Sequence, residues 1–228
     1  MLEILYKDQY LCLCRKPAGI PSQPDKTGAM SLLEELEIEL GFAGLVHRLD
    51  TPTGGIIMYS TSESVSGKLS ALVADHEAYV KEYLAVSEGI PEGYGGGEMI
   101  MEDLLFHDKL KNKTFAVDKK RAGVKTARLS CRLVAEVSEP NKEKKKALWQ
   151  IRLFTGRTHQ IRAQLAARRA PLSGDGKYGG RENRGGLALW SYKASFKHPI
   201  TGKSISVSSL PDASAYPWCL FYDALSEL

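Results

Sequence analysis

The chain has 228 residues, 43% hydrophobic and 25% charged, with 31 Lys and Arg against 27 Asp and Glu. Such a chain can bury a substantial core, and its balance is that of a soluble globular protein. No apolar run approaches a membrane span, and the start MLEILYKDQY lacks the basic-then-apolar order of a secretory signal, so a cytoplasmic protein with no membrane partner is expected.

Residues 3–6 and 10–15 read as two short strands around a Lys-Asp-Gln turn, and Lys16-Pro17-Ala18-Gly19 breaks the pattern. Residues 31–40 predict a helix: Ser31 and Glu34 make a capping box, Gly41 stands at the stop, and Leu32, Leu33, Leu36 and Leu40 supply the apolar stripe. Residues 45–49 read as extended and end at Asp50, followed by the turn Thr51-Pro52-Thr53-Gly54-Gly55. Residues 56–60 are an apolar run short enough for a buried strand. Val65, Leu69, Leu72 and Val73 give 62–74 helical spacing. Strands are expected at 79–86, 114–117, 124–134, 147–154, 187–196 and 204–208, a flexible loop at 93–97 and a helix at 158–168. Many strands with short turns and few helices argue for an α+β fold rather than a regular βαβ array, in one domain over residues 1–228.

Cys12, Cys14, Cys131 and Cys219 include no CxxC pair, and no histidines stand at ligand spacing around them. Reduced thiols and no metal are the expectation. The net charge of +4 permits an anionic partner, so clustering matters more. Basic residues gather at 109–125, at 141–146, and at Arg152, Arg157, Arg162, Arg168 and Arg169.

Three segments carry candidate chemistry. His47-Arg48-Leu49-Asp50-Thr51-Pro52-Thr53-Gly54-Gly55 puts a carboxylate at a strand end before a tight turn, with Arg48 on the same face of an extended chain. The plain alternative is a turn-capping Asp beside a surface Arg. Thr155-Gly156-Arg157-Thr158-His159-Gln160-Ile161-Arg162 leads a glycine turn into a helix N-terminus rich in donors. Arg162 stands where that helix should turn inward, and a part-buried Arg needs a carboxylate, for which Asp50 is the natural candidate. Tyr79, Lys81 and Tyr83 share one face of a strand, an arrangement that ordinary packing also explains.

Taken together, HRLDTPTGG, the KEYLA of 81–85 and GRTHQIR, followed by Pro171-Leu172-Ser173-Gly174-Asp175 and Tyr178-Gly179, resemble the RluA family of pseudouridine synthases. Lys16-Pro17-Ala18-Gly19 is similar to the family's early K-P-x-G turn, and Phe196-Lys197-His198-Pro199 to its closing F-x-H-P segment. The resemblance spans about residues 7–212. The chain departs from the usual pattern at Gly54 (Ser), Trp190 (His), Ala163 (Val) and Gln164 (His).

The resemblance implies a large mixed, mainly antiparallel sheet flanked by helices and loops, with a central active-site cleft and no appended S4-like RNA-binding module. It implies an isomerase that converts a uridine in structured RNA, rRNA or tRNA, to pseudouridine, as a monomer and without a cofactor. Asp50 matches the nucleophile, Arg162 the arginine paired with it, and Tyr83 the aromatic residue stacked on the target base. The reaction needs an ionised carboxylate, which a neighbouring cation favours. Attack at C1′ and a deprotonation route both stay open. Arg48 matches the side chain that fills the space vacated by the flipped uridine. His47, Arg157, His159, Gln160, Lys119, Lys120 and Arg121 complete the expected RNA-binding set. The rival readings are a catalytically silent RNA-binding or chaperone protein and an unrelated hydrolase using Asp50 and His159.

Overall fold

The structure, a computed structural model, describes residues 2–139, 145–180 and 185–228. Of the basic stretch at 141–146, residues 141–144 lie outside these. The chain forms two compact units, Met1–Lys81 with Trp190–Pro211, and Glu82–Leu189 with Asp212–Leu228.

The first unit contains β1 (Glu3–Lys7), β2 (Leu11–Lys16), α1 (Leu32–Leu40), β3 (Gly44–Leu45), β4 (Gly54–Ser60) and α2 (Glu63–Ala74). The strand β5 (Tyr79–Glu88) begins in it and continues into the second unit. The second unit then holds β6 (Glu98–Asp108), β7 (Lys113–Val117), β8 (Val124–Val137), β9 (Lys146–Leu153), α3 (Gln160–Ala167) and a 3-10 turn (Gly176–Tyr178). The chain returns to the first unit for β10 (Leu189–Lys197) and β11 (Ser204–Ser208), and ends in the second with α4 (Tyr222–Ser226).

In the first unit the strand order is β1-β2-β4-β10, with β3 also on β4 and β11 on β10. β2 runs antiparallel to β4, from Leu11 opposite Ser60 to Lys16 opposite Gly55, and β10 runs parallel to β4. Leu11 to Cys14 of β2 are buried on both faces of the sheet. Leu11, Leu13, Ile56 and Met58 form one core with Val65, Leu69 and Val73 of α2 and with Tyr79, Phe196 and Ile205. The expected capping box of α1 is present in both directions, and Gly41 closes the helix at φ 77°. Only Gly tolerates the next such position easily: Gly55 has φ 108°, and a β-carbon there would lie 2.2 Å from the Ser191 carbonyl oxygen.

In the second unit the order is β5-β9-β8-β6-β7. β6 lies between β8 and β7 and is antiparallel to both. It is an eleven-residue strand where none was expected. Its sequence, EMIMEDLLFHD, is poor in β-branched residues, and two neighbouring strands supply the pairing that local propensity does not. Helix α3 starts at Gln160, two residues later than expected, and packs Ala163 on Leu105 and Ala127. Asp103 of β6 accepts from Gln164 Nε2 at 2.6 Å and from Arg168 at 2.8 Å, fastening the helix to the strands. Strand pairing is mixed but mainly antiparallel, and the α+β class holds.

All four cysteines are free, three of them buried. Among the described residues no helix is long and apolar enough to cross a membrane. None of their His, Cys, Asp and Glu side chains form a group able to hold a metal ion.

Candidate active site

Asp50 sits half-buried in the turn that follows β3, and of the extended piece expected at 45–49 only Leu45 lies in a strand. The turn closes with the Thr53 N–H donating to the Asp50 carbonyl at 2.9 Å. Ser22 and Lys16 hold its flanks. Ser22 Oγ donates to the Leu49 carbonyl at 2.9 Å, and Lys16 Nζ donates to the Thr51 carbonyl at 3.0 Å. Arg48 is exposed, while Leu49 is buried.

His47 was expected among the RNA contacts. Its Nε2 accepts the Met58 N–H at 3.1 Å, and its ring lies 6.0 Å from that of Tyr79. Loss of solvent around the ring and the Lys81 charge hold its pKa well below 6.5, so the imidazole is neutral. It supports the strand β4 behind the Asp50 turn.

Tyr79 belongs to the core, with its ring 5.1 Å from Phe196. Lys81 lies over the Tyr79 ring at 5.1 Å, and burial pushes its pKa down to about 8. Tyr83, in the second unit, is buried.

Arg162 is 6% exposed on α3. Its Nε and Nη2 donate to the two carboxylate oxygens of Asp175, both at 2.7 Å, and its guanidinium lies 5.0 Å from the Tyr178 ring. The sequence pointed to Asp50 for the carboxylate that a buried Arg requires; Asp175 supplies one, in a fork geometry that fixes the plane of the guanidinium. Its place just before a 3-10 turn was legible only as part of the PLSGD segment.

The glycine turn before α3 is built by its own polar residues. Gln160 Oε1 accepts from Thr155 Oγ1 at 2.7 Å and from the Arg157 N–H at 3.0 Å, and its Nε2 donates to the Arg128 carbonyl at 3.1 Å. His159 caps the helix at φ 53°, buried, with Nδ1 3.1 Å from the Tyr178 hydroxyl. Gln160 and His159 thus shape the turn from inside. Arg157 is exposed, with Nε on the Thr126 carbonyl at 3.0 Å. Lys119, Lys120 and Arg121 are exposed on the connection between β7 and β8, and Arg121 lies 4.7 Å over the Phe106 ring. The surface candidates are therefore Arg48, Arg157, Lys119, Lys120 and Arg121.

Residues 10–167 match the family profile described as RNA pseudouridylate synthase. A tRNA pseudouridine synthase C of Vibrio cholerae is 31% identical, over 91% of this chain and 90% of its own. A dual-specificity RNA pseudouridine synthase RluA of Haemophilus influenzae is 29% identical, over 92% and 94%. Among solved structures, human RNA pseudouridylate synthase domain containing 1 is similar with a TM-score of 0.76 at 18% identity, covering 93% of this chain and 84% of its own, which speaks for the fold. With the motifs in order and the match running across most of its length, the chain belongs to the RluA-type family of RNA pseudouridine synthases, isomerases that turn a uridine of RNA into pseudouridine.

Proposed function

We propose that this synthase modifies tRNA, with Asp50 as nucleophile, Arg162 as the cation that pairs with it, and Tyr83 as the aromatic residue against the target base. The observation that carries the reading is the state of Arg162. A guanidinium 6% exposed, with Nε and Nη2 both on the Asp175 carboxylate, is a cation held in one orientation. The relatives named as tRNA pseudouridine synthases favour tRNA, and the dual-specificity relative supports a wider RNA range as the second reading.

The reaction breaks N1–C1′, forms C5–C1′, releases the C5 proton and gains one at N1. No external reactant enters, so no cofactor is required. Exposed Arg48, Arg157, Lys119, Lys120 and Arg121 would hold the RNA backbone, with Arg48 filling the gap left by the flipped uridine. We place the protein in the cytoplasm, as a monomer on its RNA.

The test is tritium release from tRNA and rRNA transcripts labelled at uridine C5. Release from tRNA by the wild type and none by Asp50→Asn is expected. Turnover by Asp50→Asn overturns the nucleophile, and release from rRNA alone overturns the substrate.

A further inference from the structure

We propose that Lys16 and Ser22 are positioning residues that clamp the backbone on either side of Asp50, at the carbonyls of Thr51 and Leu49, and so hold its carboxylate in reacting geometry; this rests on the reading of Asp50 as nucleophile. Lys16 ends β2 and is 0% exposed. Its Nζ donates to the carbonyls of Pro17 at 3.0 Å, Ile20 at 2.6 Å and Thr51 at 3.0 Å. An ammonium has three protons, and three carbonyl oxygens from two loops take them. The Thr51 carbonyl also accepts the Gly19 N–H at 2.8 Å, so the two loops are stitched twice.

Ser22 works on the other side of Asp50. Its Oγ donates to the Leu49 carbonyl at 2.9 Å and accepts the Leu49 N–H at 3.1 Å, the two bonds a neighbouring strand would make. Its own carbonyl accepts the Tyr59 hydroxyl at 2.6 Å, from near the end of the buried strand β4. With the Thr53 N–H on the Asp50 carbonyl, the carbonyls of Leu49, Asp50 and Thr51 each receive a fixed donor. Asp50 thus lies within a run of three consecutive pinned carbonyls.

A lysine in this place is expensive. Burial pushes its pKa down to about 8, with the Asp50 charge opposing the fall. An apolar residue would avoid that cost. It would also leave the Pro17 and Ile20 carbonyls without this donor and loosen the Thr51 peptide. What a lysine adds is three donors at one point, able to converge loops 35 residues apart in sequence.

The experiment compares Lys16→Gln, Ser22→Ala and Asp50→Asn with wild type in C5 tritium release at saturating tRNA, tRNA affinity and thermal midpoint. Each clamp variant should bind tRNA within about twofold of wild type yet turn over roughly ten- to a hundredfold more slowly, because a misplacement near 1 Å costs on that order. The double variant should lose less than the product of the two, because both release one turn. If Lys16→Gln does not fold, Ser22→Ala decides alone. A folded clamp variant with the wild-type rate overturns the proposal, as does a rate that falls only in step with affinity or folded fraction. Turnover by Asp50→Asn sinks the nucleophile and the clamp with it. A silent Asp50→Asn beside fully active clamp variants sinks the clamp alone.

Discussion

The ring of Trp190 occupies the space where a side chain at Gly54 would begin: a β-carbon there would lie 2.2 Å from the ring. The two residues are paired across β4 and β10. They are also two of the positions at which the chain departs from the RluA-type pattern of Ser and His. Their contact makes the two departures one, with bulk removed from β4 and added to β10. The Trp190 indole N–H donates to the Ser209 carbonyl at 2.7 Å, and the Arg15 guanidinium lies 5.2 Å from the ring, so the ring has little room to retreat.

Gly54→Ser should therefore cost about 1–3 kcal/mol through overpacking. In a Trp190→His background the same change should cost clearly less. Denaturant unfolding of the two single variants and the double closes the cycle, and equal costs in both backgrounds would show the sites to be independent.

Asp175→Ala strands a buried guanidinium and should destabilise the protein by about 3–5 kcal/mol. Asp175→Asn keeps one acceptor and should cost less. Unfolding midpoints rank the two, and a near-neutral Asp175→Ala would show that Arg162 does not depend on this carboxylate.

Tyr83→Phe keeps the ring and removes the hydroxyl. If the ring stacks on the flipped base, worth roughly 1–3 kcal/mol, Phe should bind RNA as Tyr does. If the hydroxyl also takes part in removing the C5 proton, Phe should turn over slowly. Single-turnover tritium release separates these, and equal rates leave stacking as the role.

Neutralising Lys119, Lys120 and Arg121 together should weaken RNA binding at every sequence and flatten its salt dependence, by roughly 0.7–0.9 in slope for each phosphate that is no longer neutralised. The rate at saturating RNA should hold. Parallel salt titrations of equal affinity would make this connection a solvated loop.

His47 gives a pH prediction. Its folded pKa lies well below the unfolded 6.5, so as pH falls through that range the unfolded state gains a proton that the folded state refuses. Its contribution to stability is complete above 6.5 and is lost below it. Stability measured by denaturant between about pH 7.5 and 5.5 should fall less steeply in His47→Gln than in wild type.

The local elements were legible because their causes are local. The capping box of Ser31 and Glu34 and the positive φ of Gly41 act within a few residues, so helix α1 could be read from composition and spacing alone. The same holds for β11 and for the turn after Asp50. The motifs also pointed to Asp50, Tyr83 and Arg162 as a set. Tertiary structure decided what depends on distant chain: β6 is a strand because β7 and β8 pair with it, Arg162 is forked by Asp175, and His47 and Gln160 face inward to the backbone. Lys16 looked like the opening of a turn and is the buried donor beneath the Asp50 loop. A hydrogen bond's partner is set by which groups folding brings within about 3 Å, and residues 35 positions apart carry no local trace of that meeting.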